Sequence, residues 1–105
     1  MYFETIDSTV EVLQSVLTDV STGETKHTTW AVRNVDVAKE QLKLNPARHQ
    51  PNVKKAIILL SKTFNANTKG STAFERWEST RNNPNLVNRQ GLYDATVKAI
   101  ELLRM

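Results

Sequence analysis

A chain of 105 residues with no cysteine makes one domain around a single core, and it excludes a disulfide framework, a thiolate nucleophile and thiolate-held metal or iron–sulfur sites. Its net charge of +3 is unevenly spread, with seven acidic side chains against three basic in residues 1–40 and eleven basic against four acidic in residues 41–105. This polarity points the second part of the chain toward an anionic partner, and the lack of any apolar run of about 18 residues excludes a membrane-spanning helix.

The opening MYFETIDST holds Glu4 and Asp7 but no basic residue, unlike a signal peptide, so a soluble, cytoplasmic protein with no membrane contact is expected. MYFETI itself reads as a short strand at most. The next segment, Thr9–Val20, admits two readings. As a helix it aligns Val10, Leu13, Val16, Leu17 and Val20 on one face, with Ser8 and Glu11 at capping-box spacing. As a strand it places Val10, Val12, Val16 and Val20 on one side with high β-branched content. The turn signal at 21–24, with Gly23 available for positive φ, and the alternation of Thr28, Trp30 and Val32 against His27, Thr29 and Ala31 favour the strand. The expectation is therefore an antiparallel β-hairpin over 9–20 and 25–33, so that residues 1–33 form a hairpin region packed on helices from residues 34–105. The fold class expected is α+β, with three to four helices in a single small domain.

Asn34 or Asp36 caps a predicted helix to about Leu44, which Asn45 and Pro46 end. NPARHQP is a connection. Pro51 then opens the clearest helix, to about Asn65, whose Val53, Ala56, Ile57, Leu60 and Phe64 form one apolar stripe widened by Ile58 and Leu59. Its other face carries Lys54, Lys55 and Lys62. After the loop 65–70, Thr72 and Glu75 open a short helix to about Thr80, with Phe74 and Trp77 predicted to turn inward. RNNPN breaks the chain, and the last helix runs from about residue 86 or 92 to Leu103, with Asp94 paired to Lys98.

Catalytic patterns are missing. His27 and His49 are the only imidazoles, no serine sits in a nucleophile elbow, and glycines at 23, 70 and 91 build no phosphate loop. Two histidines without cysteine make no zinc site. The carboxylate pairs Asp36 with Glu40 and Glu75 with Glu78 have structural explanations in helix dipoles and in pairing of Glu78 with Arg81. The sequence thus predicts a non-enzyme without cofactor or metal.

Anion recognition has residues behind it. Arg48, Lys54, Lys62, Lys69, Arg81 and Arg89 are the candidate binding residues, being types suited to phosphate and base-edge contacts. The helices at 51–65 and 72–80 resemble a helix-turn-helix only loosely, since their loop of about six residues exceeds that motif's three to four. The expected function is a small binding or regulatory protein whose basic part takes a nucleic acid. The alternative is an interaction module or inhibitor, of the kind a phage or mobile element encodes, that occupies an acidic surface of a host protein.

Overall fold

The computed structural model describes residues 5–105. They form five α-helices: α1 (Ile6–Ser21), α2 (Thr25–Leu44), α3 (Pro51–Ala66), α4 (Ala73–Asn82) and α5 (Arg89–Leu103). Short 3-10 turns at Pro46–His49 and Pro84–Leu86 complete the chain, and no strand occurs among the described residues.

The α+β expectation is therefore wrong, and so is the division into a hairpin region and a helical region. Residues 9–20 lie inside α1, and 25–33 are the first half of α2. The short strand expected over MYFETI falls mostly on residues 1–4, outside those described; Thr5 and Ile6 begin α1. Its true cap is Thr5, whose Oγ1 accepts from Ser8 N at 3.0 Å, rather than the Ser8 and Glu11 box. Gly23 does adopt a positive φ, 75°, as the turn signal requires, but the turn joins two helices. Val10, Leu13, Val16 and Val20 are buried at helical spacing, and in α2 Ala31, Val32, Val35, Ala38 and Leu42 continue the same period.

Threonine explains why the strand pattern misled. Seven threonines are buried: Thr9, Thr28, Thr29, Thr63, Thr68, Thr80 and Thr96. Six of them donate their hydroxyl to a carbonyl three or four residues back, as Thr28 does to Glu24 at 3.0 Å and Thr96 to Leu92 at 2.7 Å. With that proton satisfied inside the helix, the rest of the side chain packs like valine. The seventh, Thr9, reaches across to Gln41 Oε1 at 2.9 Å.

That last bond fixes a register. Residue 9 at the start of α1 meets residue 41 near the end of α2, while His27 Nδ1 stands 3.5 Å from Asp19 Oδ1 at the other end, so α1 and α2 are antiparallel. Asn52 Nδ2 donates to the Leu102 carbonyl at 2.9 Å, and Asn67 Oδ1 accepts from Asn88 N at 2.8 Å, which sets α3 antiparallel to α5 in the same way. Helix α1 packs on α2 and α5, and α3 packs on the same two. The result is an up-down four-helix bundle in which α1 and α3 are diagonal partners. Its core is the apolar stripe of each helix, led by the wholly buried Leu13, Leu42, Leu60 and Leu92. Helix α3 itself matches expectation, with Pro51 at its first position; its cap, Gln50, makes no side-chain hydrogen bond. Ile58, however, is exposed, because only two neighbours cover the helix.

Between α3 and α5 the chain makes an excursion that lays α4 against α2. Thr72 caps α4 by accepting from Glu75 N at 3.1 Å. The excursion closes on Asn67, which is 5% exposed and also donates through Nδ2 to the Thr63 carbonyl at 2.8 Å. Truncating this side chain strands the Asn88 amide in a partly buried position. Asn67→Ala is therefore expected to lower the unfolding free energy by about 1–3 kcal/mol in urea denaturation; an unchanged midpoint would remove the clasp from the account of stability.

Candidate functional site

The six predicted cations do not converge. Lys54 and Lys62 are both exposed on α3, eight residues apart and so about 12 Å along its axis. Arg48 precedes that helix, in the 3-10 turn, where its Nη1 donates to the Asn45 carbonyl at 3.1 Å. Lys69 follows the helix, its backbone N–H bonded to Ser79 Oγ at 3.0 Å. Two of these four lie on α3 and two flank it in the chain, one before and one after. Lys55 is exposed next to Lys54, and α3 contains no acidic residue.

Arg89 is committed elsewhere. As the first residue of α5 it donates through Nη2 to the Gly23 carbonyl and to Thr28 Oγ1, 3.3 Å away, tying α5 to the α1–α2 turn. Its role is architectural, a position that a basic count along the sequence does not distinguish from a free cation. Arg81 belongs to a different surface, described below, and stands 3.9 Å from Glu78 Oε1, as the sequence suggested.

The acidic pairs have structural partners. Lys39 Nζ lies 2.8 Å from Asp36 Oδ1, 3.3 Å from Glu40 Oε1 and 5.6 Å from the centre of the Phe64 ring. Burial pushes the Lys39 pKa down, but the hydrogen bonds and charges of Asp36 and Glu40 push harder, and the net shift is upward from 10.5. Glu75 Oε2 accepts from Ser71 N at 3.0 Å, and Asp94 takes the Gln90 amide at 2.9 Å instead of the expected Lys98. His27 stands between Asp19 and Glu24, with Nε2 3.3 Å from Glu24 Oε2, while His49 is exposed in the 3-10 turn. Among the described residues no three His, Asp or Glu side chains gather as metal ligands, and no helix is long and apolar enough to cross a membrane.

The surface that sequence reasoning missed lies between α2 and α4. A groove of about 470 Å³ is walled by Trp30, Trp77 and Thr29 and edged by Lys26, Arg33 and Arg81. The Arg33 guanidinium sits 4.9 Å from the centre of the Trp30 ring and 5.6 Å from that of Trp77, within cation–π range of both. Phe74 meets Trp77 edge-on, with centroids 5.2 Å apart and planes at 81°. Phe74 was predicted to turn inward and is instead 60% exposed, and Trp30 is 50% exposed. Reading residues 25–33 as a strand hid this group. On a helix, Trp30 and Arg33 are neighbours at i, i+3 and fall outside the stripe of Val32, Val35 and Leu42.

Comparison with family models, with curated proteins and with solved structures finds no match to this chain. Its function is argued from its own surfaces.

The Lys39 pair supplies a check on how α2 is held. A lysine whose folded pKa is raised contributes stability that is fully present below the unfolded value and is lost as pH climbs through the folded one. Lys39→Met is expected to cost about 1–2 kcal/mol at neutral pH by leaving Asp36 unpaired. The gap between variant and wild type in chemical denaturation should narrow only once pH passes 10.5; a gap that closes on the acidic side of neutrality before the carboxylates titrate contradicts the assignment.

Proposed function

We propose that this protein is a non-catalytic binding module that takes a nucleic acid along the outer edge of α3. One observation carries the reading: Lys54, Lys55 and Lys62 are all exposed on a helix without acidic residues, and none of them has a carboxylate within 4.0 Å among the described residues. Cations left without internal partners are the ones that neutralise phosphates. Lys55 and Lys62, at i, i+7, fall nearly in line on the exposed face, about 10 Å apart along the helix axis. Arg48 and Lys69 are exposed cations in the segments that flank the helix. The acidic residues of α1, Asp7, Glu11 and Asp19, lie across the bundle and do not oppose the approach.

A second reading, a protein partner with an acidic surface, draws on the groove between α2 and α4 and concerns a different face of the molecule.

Fluorescence anisotropy with labelled duplex DNA, single-stranded DNA and RNA, taken from low to physiological salt, tests the first reading. Binding is expected to weaken steeply with salt. The double variant Lys54→Glu, Lys62→Glu should bind less tightly and lose about 0.9 of log–log slope per contact removed on duplex, or about 0.7 on single strands. Its circular dichroism should be unchanged, since neither residue belongs to the buried stripe. Absence of binding by the wild type at low salt ends the nucleic-acid reading.

A further inference from the structure

We infer that the groove between α2 and α4 is a docking site for an acidic protein segment that packs apolar side chains along the wall formed by Trp30 and Trp77, beside Arg33. The groove is apolar along its wall and cationic along its edge, where Lys26, Arg33 and Arg81 stand without a carboxylate in the lining among the described residues. The acids nearest along the chain are already engaged: Glu24 with His27, Asp36 with Lys39, and Glu78 with Arg81. Glu78 holds Arg81 only loosely, at 3.9 Å on a side chain that is 66% exposed, so an incoming carboxylate can displace it. Charge complementarity therefore specifies an acidic occupant, and the wall specifies that it also brings apolar groups.

A nucleic acid fits this groove less well than it fits α3. Bases bind single-strand grooves by stacking on open aromatic faces. Here the Arg33 guanidinium already lies against both indoles, and Phe74 presents its edge to Trp77. The lining offers two hydroxyls, the exposed Thr25 and the buried Thr29, and the latter already donates to the Thr25 carbonyl at 3.3 Å. For a peptide the same features are assets. Trp and Arg are the residues that most often dominate protein interfaces, and an amphipathic helix in an apolar groove needs no polar wall. The inference is independent of the α3 reading, since it uses other residues and another face.

Both of the chain's two tryptophans line this groove, so intrinsic fluorescence reports on it alone. The probe is a tryptophan-free synthetic peptide with Leu and Phe on one helical face and Glu and Asp on the others. Two control peptides replace Leu and Phe by Ser, or the acids by Lys. The inference expects a saturable change in tryptophan emission with the acidic amphipathic peptide and none with the Lys control. Affinity should fall by about tenfold or more for the Ser control and for the variants Trp30→Ala and Arg33→Glu. The pair Lys26→Glu, Arg81→Glu, which touches no tryptophan, gives the same loss if Trp30→Ala fails to fold. The α3 variant Lys54→Glu, Lys62→Glu should leave peptide affinity within about twofold, because distant sites act nearly independently. Four results overturn the inference. The first two are no emission change with the acidic amphipathic peptide, and equal binding of the Ser control. The third is an oligonucleotide that changes the emission and displaces the peptide. The fourth is a dimer in sedimentation that Trp30→Ala converts to monomer, which gives the groove to a second copy of the chain.

Discussion

A single buried amide decides the layout of the second half of the chain. Asn67 ends α3 with its Nδ2 on the Thr63 carbonyl and its Oδ1 on the amide of Asn88, so the place where α3 stops is also the place where α5 starts. The rest follows from that closure. With α3 and α5 pinned side by side, their apolar stripes meet along their length, and Asn52 meets the Leu102 carbonyl at the far end. The intervening residues leave the bundle and return to it, and on the way α4 packs against α2. The groove between α2 and α4 exists because the chain had to travel somewhere between residues 67 and 88. Asn88 serves the same junction twice, since its side chain also caps α5 by accepting from Gly91 N at 2.9 Å.

How much of this was legible depended on whether a residue's signal was shared between states. Helix α3 could be read because its proline, its stripe and its following loop all agree. Helix α4 could be read from Thr72, which caps it by accepting from Glu75 N, although the Glu75 carboxylate takes the Ser71 amide in place of the Thr72 amide of a full box. The first third could not, because Thr, Val and Trp are favoured in strands and the turn at 21–24 suits either kind of hairpin. What resolved the ambiguity is a long-range fact: helical spacing buries Val10, Leu13, Val16 and Val20 against α2 and α5 together, whereas a two-stranded ribbon buries one face only. Threonine hydroxyls that bond within their own helix remove the polar penalty that otherwise argues against burying them there.

The candidate surfaces show the same limit from another side. Lys54, Lys55 and Lys62 could be assigned to the exposed face of α3 from a helical wheel, with Lys55 and Lys62 nearly in line at i, i+7. Arg89 could not be told from them, since its partner, the Gly23 carbonyl, is 66 residues away. The aromatic and arginine cluster joins Trp30 and Arg33 to Trp77 and Arg81, and each half looks incomplete alone. Phe74 and Trp77 at i, i+3 look like core until the helix that carries them proves to be a short one, laid on the bundle from outside and covered on one side.

Because the bundle sets α1 and α3 diagonally, its charges are sorted along one axis: α1 has three carboxylates and no cation, and α3 has three lysines and no carboxylate. A molecule of net charge +3 is only weakly drawn toward a polyanion as a point charge, but this separation also gives it a turning moment. Within about a Debye length, roughly 8 Å at physiological salt, the field aligns the bundle before any side chain touches. On the reading proposed for α3, the protein arrives with α3 leading and α1 trailing toward solvent, and the groove beside α2 faces sideways.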